Sequence, residues 1–173
     1  MLDVLCMHAE VGNPASAYNP VSAADLAHSG LDYAAFGHTH RFGGVQRAGG
    51  TVYAWPGCME GRGFDETGEK GVLLVDVAAG DVQAQFLPVP GRRYEILRVD
   101  VTDADPVQAV CAALPEGAAR NICRIVLTGE TDRAPNPAAL RAALEGQVFA
   151  MQLRDETRAR RDLWARAGEG TLR

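Results

Sequence analysis

The spacing of apolar and polar residues predicts a strand, a short helix and a second strand at the start of this chain. Residues 2–7 are an apolar run that predicts a buried strand, and His8 follows at its end. Ser22 precedes residues 23–28, which predict a capped helix. Residues 33–36 predict the second buried strand. Such a βαβ unit brings the carboxyl ends of two parallel strands side by side.

After residue 41 the pattern changes to short strands joined by tight turns. Strands are predicted at residues 44–46, 51–55, 71–77 and 82–89, with hairpin turns at Gly49-Gly50 and Ala79-Gly80-Asp81. A polar, glycine-rich segment, residues 56–66, separates the second of these strands from the third. Long loops inside compact sheets are often functional, so this segment is a candidate binding loop.

The segment Pro88-Val89-Pro90-Gly91 predicts a domain boundary, and a different order of elements follows it. Strands are predicted at residues 94–101, 121–129 and 148–153, with helices at 106–114 and 137–144 that begin after Asp105 and Asn136. This β-α-β-α-β order predicts a small sheet with helices on one face. We therefore divide the chain into residues 1–90, 91–156 and 157–173, the last an arginine-rich tail predicted to be an exposed helix or a frayed end.

The composition is that of a globular protein, with 47% apolar and 23% charged residues in 173. No apolar run reaches the roughly 18–20 residues that a membrane-spanning helix needs, and no signal-peptide pattern is present, so we expect a cytoplasmic protein. The four cysteines form no CxxC motif and predict no disulfide framework. Cys6 and Cys123 lie in strand-like apolar runs, where we expect both to be buried.

Charge is distributed unevenly along the chain, whose net charge is −5. Residues 1–90 carry four basic and ten acidic side chains, whereas residues 91–173 carry thirteen arginines against twelve acids. An acidic first part suits cation binding. The chain contains sixteen arginines and one lysine, Lys70, a bias that fits either a GC-rich genome or phosphate recognition.

Three histidines follow the two predicted parallel strands. His38 and His40 leave the second strand with one residue between them, so on extended backbone their rings point to the same side. His8 at the end of the neighbouring strand can converge with them. Imidazole is the commonest protein ligand of metals, so the pattern predicts a metal site; the alternative is a turn with solvent-facing histidines. His28, in the short helix, is expected to be a surface or capping residue.

Four blocks of sequence resemble the later part of a calcineurin-like metallophosphoesterase, within which the SbcD-type DNA repair exonucleases are most similar. The blocks are the strand ending at His8, Tyr33-Ala34-Ala35-Phe36-Gly37-His38-Thr39-His40, the segment from Trp55 to Glu66, and Lys70-Gly71-Val72-Leu73-Leu74-Val75. Residues 93–156 are similar, more loosely, to the capping domain of that branch. The resemblance implies an α/β fold: the C-terminal portion of a metallophosphoesterase β-sandwich flanked by helices, followed by a small α+β capping domain.

The resemblance also implies a two-manganese centre in a phosphodiester hydrolase. His8 and His38 would bind one Mn²⁺ and His40 the other, and residues 57–64 would lie near the substrate. The substrate-binding residues implied in that loop are Gly57, Cys58, Arg62 and Phe64. The implied partners are DNA and an SbcC-type ATPase, with a possible homodimer.

The family's Asp-x-His, Gly-Asp and Gly-Asn-His blocks, which supply the remaining ligands and a catalytic histidine, do not occur in their places here. We therefore expect a C-terminal part that contains no catalytic residue of its own and is inactive alone. The first strand would then be an exposed edge that invites self-association. Two other functions remain open, a small-molecule phosphodiesterase and a non-catalytic module that docks DNA or a partner.

Overall fold

The computed structural model of this chain describes residues 1–78, 80–89 and 91–160. The predicted turn residue Ala79, the predicted boundary residue Pro90 and residues 161–173 of the predicted tail lie outside the described residues. The chain divides into two compact units between Arg93 and Tyr94. The domain bounds inferred from the sequence stay a prediction.

The first unit is built from one mixed sheet, one helix and an antiparallel hairpin. Its elements are β1 (Val4–His8), β2 (Glu10–Val11), β3 (Pro20–Val21), α1 (Ala23–His28), β4 (Tyr33–Gly37), β5 (Val45–Ala48), β6 (Thr51–Ala54), β7 (Gly71–Ala78) and β8 (Asp81–Pro88). The sheet has the strand order β1-β4-β6-β5, and β7 pairs with β8. Each predicted strand and hairpin of this part is confirmed, with ends that differ by at most two residues.

The βαβ unit predicted from the sequence is present. Strands β1 and β4 pair in parallel, with His8 opposite Gly37. Ser22 begins α1 through a capping box, in which its hydroxyl accepts from the amide of Asp25 while the Asp25 carboxylate accepts from the amide of Ser22. This cap sets where the connection turns back, and so helps to place β4 beside β1.

The strand predicted within residues 2–7 is present, but the prediction that it is buried is wrong. Strand β1 begins at Val4 and lies at one edge of the sheet, where it pairs with β4 alone among the described residues. Val4 is 56% exposed, and Cys6, expected to be buried, is exposed as well. An apolar run identifies a strand but does not determine how many neighbours cover it. The exposed edge expected for this strand is therefore present.

The second unit is a three-stranded parallel sheet with two helices. Its described elements are β9 (Tyr94–Asp100), α2 (Pro106–Ala113), a 3₁₀ turn (Ala118–Arg120), β10 (Ile122–Thr128), β11 (Glu130–Thr131), α3 (Pro137–Leu144), β12 (Ala150–Asp155) and β13 (Arg158–Ala159). Strand β10 is central, between β12 and β9. The predicted caps Asp105 and Asn136 accept hydrogen bonds from the first amides of α2 and α3.

One face of this sheet carries the core. Cys123, Ile125 and Leu127 of β10 are each 0% exposed and pack in one cluster with Val110 of α2 and Leu140 of α3. Residues between them in the strand, such as Arg124, point to the opposite face. The predicted arrangement of both helices on one face is confirmed.

The fold is α/β with mixed sheets and few helices, as expected, and is consistent with part of a metallophosphoesterase-like fold. All four cysteines are free thiols. Within the described residues, no helix has the length and apolar character needed to cross a membrane.

Candidate functional site

The turn that carries His38 and His40 begins where β4 ends, at Gly37. His38 adopts a φ of 101°, a conformation rare for residues other than glycine. Such backbone strain persists only where the surroundings hold it, and it is concentrated at functional turns. The strained turn changes the direction of the chain immediately after the strand.

The rings of His8 and His38 lie together at the carboxyl ends of β1 and β4. Their centroids are 5.1 Å apart, in an edge-to-face arrangement. Gly37 makes this approach possible, because a Cβ atom there would lie 3.2 Å from Nδ1 of His8. The convergence of these two histidines follows from the parallel register of the strands.

Tyr18 completes an aromatic cluster with these two histidines. Its ring stacks on that of His38 with centroids 4.3 Å apart and meets that of His8 edge-on at 6.1 Å. The side-chain amide of Asn19, the next residue, donates to the carbonyl of His8 at 2.9 Å. The connection between β1 and α1 is thereby fixed over the histidine pair.

Glu10 is the carboxylate beside this pair. Its Oε2 lies 4.0 Å from Nε2 of His38. Hydrogen bonds from Ser16 and Asn13 lower the pKa of Glu10 below its ordinary value, and the nearby His38 adds a smaller effect in the same direction. Glu10 is therefore ionised at neutral pH and supplies negative charge next to the imidazoles.

His40 is held by a different group of residues. Its Nδ1 lies 2.5 Å from Oε1 of Glu66, in the glycine-rich loop. The backbone carbonyl of His40 accepts hydrogen bonds from Nζ of Lys70 at 3.0 Å and from Sγ of Cys58 at 3.4 Å. Lys70 is buried, with 6% of its surface exposed. The loop residues Cys58 and Glu66, together with Lys70 just after the loop, thus contact both the ring and the main chain of His40.

Gly57 allows the loop to approach the histidine turn. It has a φ of +86°, and a Cβ atom there would lie 2.9 Å from the amide nitrogen of Phe42 and 3.2 Å from the carbonyl oxygen of His40. Of the other predicted substrate-binding residues, Arg62 is exposed and Phe64 is half-buried. The amide of Arg62 donates to Oε2 of Glu66 at 2.8 Å. The predicted binding loop therefore packs against the predicted metal-binding turn.

A cavity of about 670 Å³ opens beside His40. Its lining includes the cations Arg41 and Lys70 and the acids Asp65, Glu66 and Glu69, so neither sign of charge dominates. Phe42 and Phe86 stack at one wall, with centroids 4.7 Å apart. This cavity has room for a small ligand next to the His40 ring.

Among the predicted ligands, His8 and His38 contact each other and Tyr18, and His40 contacts Glu66. Within residues 1–78, 80–89 and 91–160, no group of three or more His, Cys, Asp or Glu side chains is arranged to hold a metal ion. The assignment of His8, His38 and His40 to a metal centre stays a prediction.

The sequence pattern did not identify Glu10, Tyr18, Glu66 or Lys70 as neighbours of the histidines. The available signal for Glu66 was its position in a long polar loop, but the chain separation of 26 residues from His40 hides their contact. Lys70 is the sole lysine, yet nothing in its neighbours along the chain indicates its burial. His28 is exposed, as expected.

No family model matches this chain. A 93-residue stretch is 38% identical to a Bacillus subtilis (strain 168) protein named Uncharacterized metallophosphoesterase YhaO, and covers 54% of this chain. The similarity supports the calcineurin-like metallophosphoesterase superfamily. The same stretch covers 22% of the relative, so the chain matches about a fifth of that protein's length.

The donor set of the site fits part of a divalent-metal centre. The three histidines supply imidazole nitrogens, and Glu66 contacts one ring nitrogen of His40 as carboxylates commonly do when the other nitrogen of a histidine binds a metal. Manganese prefers carboxylate, carbonyl and water oxygens. The carboxylates of Glu10 and Glu66 each lie beside one histidine, but the described residues do not bring three or more such groups together around a metal position. A complete centre therefore needs ligands beyond these three histidines.

Proposed function

We propose that this chain forms part of a metal-dependent phosphoester hydrolase. The observation that carries the proposal is the meeting of His8 and His38 at the ends of adjacent parallel strands, 5.1 Å apart. The similarity to a protein named as a metallophosphoesterase covers 93 residues and supports the same function.

We propose further that the reaction is manganese-dependent hydrolysis of DNA, as in an SbcD-type exonuclease that repairs double-strand breaks in the cytoplasm. The unit that follows the histidine-bearing unit supports this choice, because it has the β-α-β-α-β order that the sequence predicts for residues 91–156, the proposed capping domain. An SbcC-type ATPase would be the protein partner. The unpaired edge of β1 would support association with another strand or a second copy of the chain.

Each residue of the site has a distinct task in this proposal. Bound divalent cations supply Lewis-acid stabilisation of the phosphoryl charge and activation of water. His8, His38 and His40 offer the nitrogen ligands. The exposed Arg62 guanidinium is available to orient a phosphate. The missing carboxylate ligands would come from a further segment or chain.

The test is Mn²⁺-dependent cleavage of linear duplex DNA. We expect no cleavage by this chain alone, and cleavage after mixing with a separately made polypeptide that carries the Asp-x-His, Gly-Asp and Gly-Asn-His blocks of a related nuclease. His38→Ala should abolish the cleavage, whereas His28→Ala should not, because His28 lies on an exposed helix end. Absence of cleavage in the mixture would contradict the proposal.

The absence of a complete ligand cluster in the described residues favours one second candidate, a non-catalytic DNA-binding module. Such a module would keep its DNA affinity in EDTA and lose it steeply with added salt, as expected for phosphate contacts. The remaining alternative, a small-molecule phosphodiesterase, would cleave a small phosphodiester in the reconstitution mixture but leave DNA intact.

A further inference from the structure

Both oxygens of the Glu66 carboxylate lie at hydrogen-bond distance from a nitrogen atom. Oε1 faces Nδ1 of His40 at 2.5 Å, and Oε2 accepts from the amide of Arg62 at 2.8 Å. The Glu66 side chain is 14% exposed, whereas that of His40 is 57% exposed. The carboxylate is thus enclosed by the loop, and the ring it contacts remains open to solvent.

This geometry determines which nitrogen of His40 carries the hydrogen. An ionised carboxylate can only accept hydrogen bonds, so the ring nitrogen facing it must be the donor. A glutamate carboxyl has an ordinary pKa of about 4.3 and is ionised at neutral pH, and the amide of Arg62 donates to its other oxygen. His40 then carries its hydrogen on Nδ1 and has its lone pair on Nε2.

The main chain of His40 is held by two other residues of the connection between β6 and β7. Lys70 and Cys58 both donate to its carbonyl oxygen. Because the backbone and Nδ1 are held together, the ring has little freedom to turn about its side-chain torsions. Nε2, on the far edge of the imidazole from Nδ1, is left as the accessible nitrogen.

We propose that Glu66 is a positioning residue, which fixes His40 in the Nδ1–H tautomer and presents Nε2 as the free nitrogen donor. The use of Nε2 as a metal ligand rests on the proposed hydrolase function. The tautomer itself does not, since it follows from the contact between the carboxylate and the ring.

The test is nitrogen-15 NMR of the histidine side chains in the metal-free protein at about pH 8, above the ordinary histidine pKa of about 6.5. Long-range proton–nitrogen correlations identify the protonated ring nitrogen. His28 provides an internal reference, because its Nδ1 lies 2.7 Å from the carbonyl oxygen of Ala24, which can only accept. Glu66→Ala is the test variant. Glu69→Ala is the matched control, since Glu69 lies three residues after Glu66 in the connection between β6 and β7 and pairs with Arg93 instead.

We expect Nδ1–H for His40 in the wild type and in Glu69→Ala, and loss of that preference in Glu66→Ala while His28 is unchanged. Nε2–H in the wild type, or an unchanged His40 in a folded Glu66→Ala protein, would overturn the proposal. In the reconstituted nuclease, Glu66→Ala should lower the Mn²⁺-dependent rate about 10–100-fold. A shifted tautomer with an unchanged rate would also overturn the positioning role. If the wild type shows Nδ1–H but no mixture cleaves DNA, the proposed hydrolase fails and the tautomer assignment stands.

Discussion

The rings of His8 and His38 meet edge to face, 5.1 Å apart, although the two residues come from different strands. Their meeting depends on the parallel pairing of β1 with β4, which puts His8 opposite Gly37. It depends equally on the missing side chain at Gly37, over which the His8 ring lies. Adding a single methyl group at position 37 should therefore change how the two rings meet.

Gly37→Ala should displace the His8 ring without unfolding the protein. The new Cβ would lie 3.2 Å from Nδ1 of His8, closer than ordinary van der Waals contact, so the ring must shift by a few tenths of an ångström. We expect altered chemical shifts of the His8 and His38 ring protons, because each ring lies in the ring current of the other.

Gly43→Ala is the matched control for this change, because a Cβ at Gly43 would have no atom within 4 Å. Its histidine spectrum should equal that of the wild type. Identical ring-proton shifts in Gly37→Ala and in the wild type would show that the two rings do not meet as described.

Gly57→Ala should be among the most destabilising single-methyl changes in the binding loop. The substitution combines a positive φ with a Cβ 2.9 Å from the Phe42 amide nitrogen. Gly68 shares the positive φ, +82°, but has open space around it. Backbone strain of about 1–3 kcal/mol applies to both variants, and overpacking adds about 1–3 kcal/mol to Gly57→Ala alone.

Urea unfolding of the two glycine variants measures this difference in the free energy of unfolding. The His40 ring signals should also move in Gly57→Ala and stay in place in Gly68→Ala. Equal losses of stability in both variants would mean that the loop does not press against the histidine turn.

The capping box of α1 should make stability depend on pH through Asp25. Hydrogen bonds from the hydroxyl and amide of Ser22 lower the pKa of Asp25 below its ordinary value. The folded state therefore favours the ionised carboxylate. Its contribution is complete above the unfolded-state pKa of about 3.9 and is lost as the pH falls through the lower folded-state value.

Ser22→Ala should raise the pKa of Asp25 toward its ordinary value and weaken the acid dependence that Asp25 causes. Loss of the cap should also destabilise the protein by about 1 kcal/mol at neutral pH. Carbon-detected NMR titration of the Asp25 carboxyl gives the pKa directly. Asp81→Asn is the control variant, because it removes an exposed carboxyl that lies outside the helix. An unchanged Asp25 titration in Ser22→Ala would contradict the capping box.

Leu140→Ala should destabilise the second unit far more than Ile96→Ala. Leu140 in α3 is 1% exposed and packs in the core cluster, so its truncation should cost about 2–5 kcal/mol. Ile96 in β9 is 41% exposed on the face opposite the helices, and its truncation should cost less than about 1.5 kcal/mol. Thermal unfolding monitored by circular dichroism compares the two. Similar costs would imply that both faces of this sheet are covered.

The sequence by itself determined the local elements and their order. Ser22, Asp105 and Asn136 identified three helix starts, because a cap is a contact between residues two or three positions apart. The apolar runs identified the strands, and the order strand–helix–strand fixed the parallel pairing that places His8 beside His38.

Only the tertiary structure decided which residues surround the histidines and how far each strand is covered. Cys6 is exposed because β1 lies at a sheet edge, and no local pattern distinguishes an edge strand from a central one. Glu66 reaches His40, and the lone lysine Lys70 is buried on the carbonyl of His40, because the loop folds back over the turn. These contacts join residues that are distant in the chain. They depend on the path of a loop, whose sequence has no repeating apolar pattern from which that path could be predicted. For that reason the convergence of His8 with His38 could be predicted from the sequence, but the contact of Glu66 with His40 could not.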